Sequence, residues 1–174
     1  MKTVKVQVYN VSKNPLPKYE SEWAAGADVR VDFSRITPEN YPKIKGDGEI
    51  IFAGEKHPKA LIRLAPMSRV ILPTGLYLGI PEGWEVQLRP RSGLSYKAGL
   101  TNANATGTID ADYKDEVGII AINLGQEDVW IEDGERCGQF VLKEAPQIEW
   151  EPVNSREELQ GKNRGGGFGH TNLK

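Results

Sequence analysis

The sequence predicts an all-β domain, either a sandwich or a barrel. Short segments rich in apolar residues recur along most of the chain, and turn signals such as Pro73-Thr74-Gly75, Pro81-Glu82-Gly83 and Asp133-Gly134 separate them. Only Ser155–Gly161 carries a convincing helix signal. Many short strands with close turns and almost no helix are typical of sandwiches and barrels.

The strands are predicted from alternating or clustered apolar residues. Val4, Val6 and Val8 alternate with polar neighbours, which is the pattern of a half-buried strand. A further stretch with a strand pattern contains Gly107–Tyr113. In chain order the other predicted strands are Val4–Val8, Ala27–Val31, Ala60–Leu64, Arg69–Leu72, Tyr77–Ile80, Trp84–Arg89, Gly118–Leu124, Val129–Ile131 and Gln139–Leu142.

Three stretches do not follow this alternation of short strands and turns. Ser34–Pro58 is rich in proline, glycine and charge, and it predicts an inserted loop or a hairpin built on Ile50-Ile51-Phe52. Ser155 precedes Glu158 by three residues, the spacing of a capping box at a helix start. Gly161–Lys174 has five glycines in fourteen residues and predicts a mobile arm. We therefore expect one β domain over residues 1–160 and an arm over 161–174.

Composition bounds the function. The chain has 174 residues, a formal net charge of −2 and a pI near 5.8, so it lacks the broad basic face that duplex binding requires. No run of about 18 apolar residues or signal-peptide pattern occurs, so we expect a soluble, cytoplasmic protein without a membrane partner. One cysteine and two histidines exclude an internal disulfide and familiar zinc spacings. A nucleotide is a more plausible phosphate ligand than a nucleic acid.

The first candidate for chemistry is Arg89-Pro90-Arg91-Ser92-Gly93, which follows a predicted strand. An arginine fork, a hydroxyl and backbone N–H groups in succession can converge on phosphate oxygens. Arg-Ser-Gly is also common in ordinary turns, so the segment leaves both interpretations open.

The second candidate is Gly107–Tyr113, which sets a carboxylate and an aromatic ring three residues apart after a glycine. Asp110 could act as a general base toward water, and Tyr113 could pack against a deoxyribose and exclude a 2′-hydroxyl. Asn104 could bind a base edge with its amide. The alternatives are that Asp110 and Asp112 are solvated turn residues, that Tyr113 is half-buried core, and that Asn104 only serves its turn.

The third candidate is the glycine-rich segment Arg164–Thr171, whose amides could wrap phosphates. Phe168 has no core to enter in a mobile arm, so stacking on a planar base is its natural use. His170 is interpreted as a residue near the phosphates and not as a base, because a mobile base is poorly positioned.

In this order the motifs resemble those of the trimeric dUTP pyrophosphatases. The corresponding segments are Ala25-Gly26-Ala27-Asp28-Val29, Pro90-Arg91-Ser92-Gly93, Gly107–Tyr113, Gly134-Glu135-Arg136-Cys137-Gly138-Gln139 and Arg164–Thr171. The resemblance runs from about Val4 to Thr171, with Ser34–Pro58 as an unmatched insertion. It implies a jelly-roll homotrimer that hydrolyses dUTP to dUMP and pyrophosphate with Mg²⁺, which limits uracil in DNA and supplies dUMP for dTMP synthesis.

The resemblance also implies roles for single residues. Asp110 would activate the water that attacks the α-phosphorus, and Asp28 would contact the metal through water. Arg164 would hold the γ-phosphate, with Lys162 as an alternative because the fifth motif is one residue short. The expected substrate-binding residues are Arg91, Ser92, Gly93, Asn104, Gly107, Thr108, Ile109, Asp110, Tyr113, Gln139, Arg164, Phe168 and Gly169.

The motifs also allow two other functions. A dCTP deaminase shares the fold and the phosphate-binding Arg-Ser, but it lacks this Asp-x-Asp-Tyr arrangement and the Gly-Phe-Gly arm. A binding or regulatory module could keep the fold without catalysis, and an intact Asp110 argues against that. Pyrophosphate release from dUTP, ammonia release from dCTP, or neither, separates the three.

Overall fold

The computed structural model describes residues 3–37, 46–54 and 58–163. The strands are β1 (Gln7–Asn10), β2 (Lys18–Tyr19), β3 (Ala27–Arg30), β4 (Glu49–Ile51), β5 (Leu61–Leu64), β6 (Arg69–Pro73), β7 (Leu76–Gly79), β8 (Trp84–Pro90), β9 (Leu100–Asn102), β10 (Gly107–Ile109), β11 (Gly118–Asn123), β12 (Val129–Glu132) and β13 (Arg136–Glu144). Across these ranges the single α-helix is α1 (Ser92–Ala98), and a 3-10 turn covers Arg156–Glu158. The predicted all-β class is confirmed.

In the described part of the chain, the strand pairs are antiparallel and form four sheets. Their orders are β10-β8-β13-β3-β2, β6-β11-β9, β12-β5-β4 and β1-β7. The consecutive strands β9 and β10 belong to different sheets, because β9 pairs with β11 whereas β10 pairs with β8. Strands that leave one sheet for another in this way let the sheets close around a shared interior.

The core is built by period-two alternation. In β8 the side chains of Val86 and Leu88 are buried, and in β11 those of Ile119 and Ala121 are buried, while their neighbours in each strand face outward. Phe33 and residues of most other strands complete the same cluster. None of the helices in the described ranges is long and apolar enough to cross a membrane.

Each predicted strand overlaps an observed strand, but no helix was predicted where α1 forms. Ser92 and Gly93 are poor helix-interior residues, which explains the error. The C-terminal end of the helix did carry a sequence signal. Gly99 is its C-cap residue and adopts the left-handed conformation that glycine favours, with φ 69°. A glycine seven residues after Ser92 was therefore the mark of the helix end.

The predicted capping box at Ser155 is wrong. Ser155 precedes the 3-10 turn, but its side chain makes no capping bond. Glu158 instead accepts a hydrogen bond from the backbone N–H of Asn154 at 3.3 Å. The turn is too short to present the α-helical amides that a capping box satisfies.

Part of the segment 34–58 belongs to the β structure. Strand β4 pairs with β5, with Ile50 opposite Ile62, and Gly46 forms an isolated bridge with Val70. The apolar triplet of the sequence thus supplies an edge strand, which agrees with the hairpin alternative. The division into residues 1–160 and 161–174 stays a prediction, because 164–174 lie outside the described residues.

Candidate active site

A row of polar side chains crosses four strands on one face of the largest sheet. Gln139 of β13 lies opposite Arg89 of β8 and opposite Asp28 of β3, and Asp28 lies opposite Lys18 of β2. Paired residues in adjacent strands project to the same face. This register brings the first motif and the fourth motif together although they are distant in the sequence.

The row borders an open groove of about 400 Å³. It is lined by Glu20, Ala24, Ala25, Gly26, Asp28, Arg89, Arg91, Arg136, Gln139 and Val141. A Cβ on Gly26 would collide with the side-chain amide of Gln139, which would then have to move. The glycine of the first motif therefore makes room for the glutamine of the fourth.

Asp28 holds the arginines of the groove in place. Its carboxylate is only 12% exposed and pairs with Nη2 of Arg91 at 3.3 Å and Nη1 of Arg136 at 3.1 Å. Arg91 also donates to the backbone oxygen of Arg136, and Gln139 donates to the backbone oxygen of Pro90 at 2.9 Å. The groove thus contains three guanidinium groups, of which two share one carboxylate, and it suits an anionic ligand.

Helix α1 begins beside this groove. Arg91 is its N-cap residue and has no side-chain capping bond. Ser92 and Gly93 are exposed, and no atom lies within 4 Å of a Cβ placed on Gly93. First-turn N–H groups lack intrahelical partners, so this turn is open to an acceptor from outside.

A second, smaller cavity of about 140 Å³ contains the residues predicted to bind a nucleoside. It is lined by Leu88, Asn104, Gly107, Thr108, Ile109, Tyr113, Val117, Gly118 and Ile120. Its volume is below the few hundred Å³ typical of sites for drug-sized ligands, which suits one small ring system. The sequence predicted the polar members of this set, whereas Leu88 and Ile120 were assigned only to strands.

Gly107 and Asn104 are matched to each other in this cavity. A Cβ on Gly107 would lie 3.0 Å from Nδ2 of Asn104 and 3.4 Å from Cβ of Leu88. The intervening turn places Ala105 at φ 56°, and buried Asn102 donates to the backbone oxygen of Leu88 at 3.0 Å. The burial of Asn102 is visible in the structure alone.

Tyr113 is fixed at the edge of the cavity by a turn. Its N–H donates to the backbone oxygen of Asp110 at 3.2 Å, and its hydroxyl donates to the backbone oxygen of Glu116 at 2.9 Å. Burial raises the pKa of the Tyr113 phenol, and the charges of Asp115 and Glu116 raise it further. The phenol is therefore neutral and able to donate this bond at physiological pH.

Asp110 is exposed where β10 ends, directly after Ile109 of the cavity wall. Its carboxylate is accessible to water, as a base acting on water requires. Arg164, Phe168 and Gly169 lie outside the described residues. Among the residues that the structure does describe, no three His, Cys, Asp or Glu side chains form a group that could hold a metal.

The groove and the cavity involve opposite faces of β8. Arg89 lines the groove and the preceding Leu88 lines the cavity. Successive residues of a strand project to opposite sides. One chain therefore presents the predicted phosphate-binding residues and the predicted nucleoside-binding residues as two separate groups.

Comparison with known proteins identifies relatives along almost the whole chain. A family model described as dUTPase matches residues 58–172. A deoxyuridine 5'-triphosphate nucleotidohydrolase of Fusobacterium nucleatum is 42% identical over 172 residues, which cover 98% of this chain and 99% of the relative. A protein of the same name from Bdellovibrio bacteriovorus is 43% identical and covers 97% of this chain and 95% of its own.

Solved structures share the fold. A Staphylococcus bacteriophage 80alpha dUTPase mutant with dUpNHpp aligns with a TM-score of 0.68 and 23% identity over 98% of this chain and 100% of its own. A mutant dUTPase from phage phi11 of S. aureus, which coordinates a structural Mg(II) ion, aligns with a TM-score of 0.64 and 21% identity over 88% and 99%. The jelly-roll-like class expected from the sequence is thereby confirmed.

Proposed function

The chain belongs to the dUTPase family and hydrolyses dUTP to dUMP and pyrophosphate, and we propose which residue performs each part of this reaction. Asp110 takes a proton from the water that attacks the α-phosphorus. The new bond joins the water oxygen to that phosphorus, the bond to the bridging oxygen of the β-phosphate breaks, and pyrophosphate leaves. The exposed carboxylate of Asp110 at the end of β10 supports this role.

The arginine-lined groove is the proposed phosphate site. Arg91, Ser92 and Gly93 would bind phosphate oxygens, and Gln139 would reach the α-phosphate. Support comes from the pairing of Arg91 with Asp28, which fixes the guanidinium, and from the uncapped first turn of α1. Charge-assisted donors on a fixed frame are effective for a transferring phosphoryl group because they need no reorganisation during the reaction.

The smaller cavity is the proposed site for uracil and deoxyribose. Asn104 and the backbone of Gly107, Thr108 and Ile109 would bind the base, and Tyr113 would form the wall against the sugar. The observation that carries this assignment is that all five residues line one cavity although three of them are exposed on the surface. A site that hydrogen-bonds the polar groups of its substrate discriminates strongly against analogues that lack those groups.

Mg²⁺ is the proposed cofactor. The donor set of the groove fits an ion held by phosphate oxygens and water, because Asp28 is already paired with two arginines and contributes at most through water. When bound, the ion would neutralise charge on the phosphates. In this allocation Asp28 orders the arginines and the surrounding water.

The complete site would form between chains of a homotrimer. The separation of the groove from the cavity on the two faces of β8 supports assembly from more than one copy. Arg164, with Lys162 as the alternative, would hold the γ-phosphate, and Phe168 and Gly169 of the arm would close over the base. Closure would exclude bulk water from the reacting phosphorus.

A substrate assay tests the proposal. Purified protein with Mg²⁺ is given dUTP, UTP or dCTP, and pyrophosphate and ammonia are both measured. We expect rapid pyrophosphate release from dUTP, slow release from UTP and no ammonia. Equal use of dUTP and UTP would contradict the sugar-wall assignment, and ammonia release from dCTP would contradict the assigned reaction.

A further inference from the structure

The ring of Tyr113 depends on Glu116 for its position. Tyr113 lies outside the strands, and its hydroxyl is held by the backbone oxygen of Glu116 at 2.9 Å. The side chain is 40% exposed, so packing alone does not enclose it. A movement of the Glu116 backbone would therefore move the wall of the cavity.

The backbone at Glu116 is held by the connection between β6 and β7. The N–H of Gly75 donates to Oε1 of Glu116 at 2.7 Å. The hydroxyl of buried Thr74 donates to the backbone oxygen of Val117 at 2.6 Å. The backbone N–H of Val117 donates to the backbone oxygen of Leu76 at 2.8 Å. These bonds fix one side of the segment that holds Tyr113.

Arg35 fixes the other side from a remote part of the chain. Its Nη2 donates to Oε1 of Glu116 at 2.6 Å, across 81 residues of sequence, and its Nε donates to Oδ2 of Asp32 at 2.6 Å. Asp32 is 1% exposed and its other oxygen accepts from the hydroxyl of Ser34. Burial lowers the pKa of Arg35, but the bonds to Asp32 and Glu116 outweigh it and the pKa is raised, so the cation persists.

We propose that Arg35 and Glu116 are positioning residues that hold Tyr113 in place and thereby increase the discrimination of dUTP from UTP. The inference rests on the proposed role of Tyr113 as the sugar wall. A wall rejects an added 2′-hydroxyl only if it cannot retreat, since hydrophobic pockets otherwise reject such analogues weakly. A planar guanidinium between two carboxylates provides that rigidity. It also gives the start of segment 34–58 a role in the site.

The test measures the ratio of kcat/KM for dUTP to that for UTP. Arg35→Ala, Glu116→Ala and Tyr113→Phe should each lower this ratio by about threefold to thirtyfold, which lies within the range that coupled contacts span. In the double variant Arg35→Ala with Glu116→Ala, the ratio should fall no further than in the single variant with the lower ratio. Arg35→Lys keeps the charge but not the fork, so its ratio should lie between those of the native protein and Arg35→Ala.

Arg63→Ala is the matched control. Arg63 also joins two carboxylates, those of Asp128 and Glu49, but it lies on the β12-β5-β4 sheet. Its loss should leave the ratio unchanged, and a loss equal to that of Arg35→Ala would overturn the inference. Tyr113→Phe removes a single hydroxyl and keeps the test decisive if the Arg35 variant unfolds.

Tyr113→Ala separates this inference from the function on which it rests. If Tyr113→Ala lowers the ratio while Arg35→Ala, Glu116→Ala and Tyr113→Phe leave it at the native value, the positioning role is overturned and the sugar wall stands. If Tyr113→Ala itself leaves the ratio unchanged, the sugar wall is overturned and the positioning role with it.

Discussion

Asp110 is the residue on which the proposed chemistry depends most directly. Asp110→Asn should lower kcat for dUTP by roughly a hundredfold to ten-thousandfold, because the amide cannot accept the proton of the attacking water. Nucleotide binding should be nearly unchanged, since phosphate and base contacts remain. Steady-state kinetics and binding of a non-hydrolysable dUTP analogue measure the two effects.

Asp112→Asn is the control for this variant. Asp112 is exposed in the same turn, two residues from Asp110. Its replacement by asparagine removes the same charge. This variant should retain native turnover. Near-native turnover of Asp110→Asn, or an equal loss in both variants, would count against Asp110 as the base.

Gly107 shows how closely the nucleoside cavity is packed. Gly107→Ala should raise KM for dUTP by about fivefold or more, because overpacking costs about 1–3 kcal/mol and the new methyl group would press on Asn104. The comparison is Gly54→Ala, where no atom lies within 4 Å of the added Cβ. A native KM in Gly107→Ala would show that Asn104 can shift without loss of base binding.

At the scale of elements, helix α1 and the segment 116–117 do more than connect strands. Helix α1 presents its open first turn to the groove, and the segment 116–117 links Tyr113 to the β6–β7 connection. Both lie at the ends of strands, where a rigid sheet can position residues of irregular segments. The proposed site therefore includes elements whose own sequences give weak secondary-structure signals.

The arm is an element whose removal can be tested alone. Gly161, Lys162 and Asn163 are exposed, so deletion of Gly161–Lys174 should leave the unfolding midpoint and the assembly nearly unchanged. Turnover should fall severely, because closure must offset the cost of ordering the arm and protects the phosphates from bulk water. Thermal unfolding and dUTP kinetics of the truncated protein measure both. Full-length turnover after truncation would rule out the arm as a lid.

At the scale of the whole molecule, several large apolar side chains are exposed on the single chain. Ile148 and Trp150 follow β13 and are 69% and 80% exposed, and Trp23, beside the groove-lining residues Ala24 and Ala25, is 77% exposed. Exposed apolar side chains mark an interaction surface where they form a contiguous patch. In the proposed homotrimer, contacts between copies would cover side chains of this kind.

Light scattering tests the assembly directly. The mass in solution should be about three times the 19.3 kDa of one chain and should persist on dilution through the micromolar range. Trp150→Glu should weaken the assembly and lower turnover together, because it buries a charge at the proposed interface. Trp130→Glu is the control, because Trp130 lies on the β12-β5-β4 sheet; it should leave the assembly and turnover unchanged. A monomeric protein with full turnover would refute the shared site.

The sequence by itself predicted most of the strands and pointed to the candidate reactive groups. Alternation in segments such as Trp84–Arg89 and Gly118–Leu124 is a local signal, and the motif around Asp110 and Tyr113 is contiguous. Helix α1 was missed because its N-terminal Ser-Gly resembles a turn and its stability comes from context. Local patterns are readable because they require no knowledge of distant partners.

Only the tertiary structure decided which distant residues meet. The register of β3, β8 and β13 brings Asp28, Arg89 and Gln139 into one row, and the loop after β3 brings Arg35 to Glu116 across 81 residues. Neither arrangement has a sequence signal, because a shift of one residue in strand register would turn every side chain to the other face. Short motifs supply the candidate reactive groups, whereas the packing of the whole chain sets the distances between them.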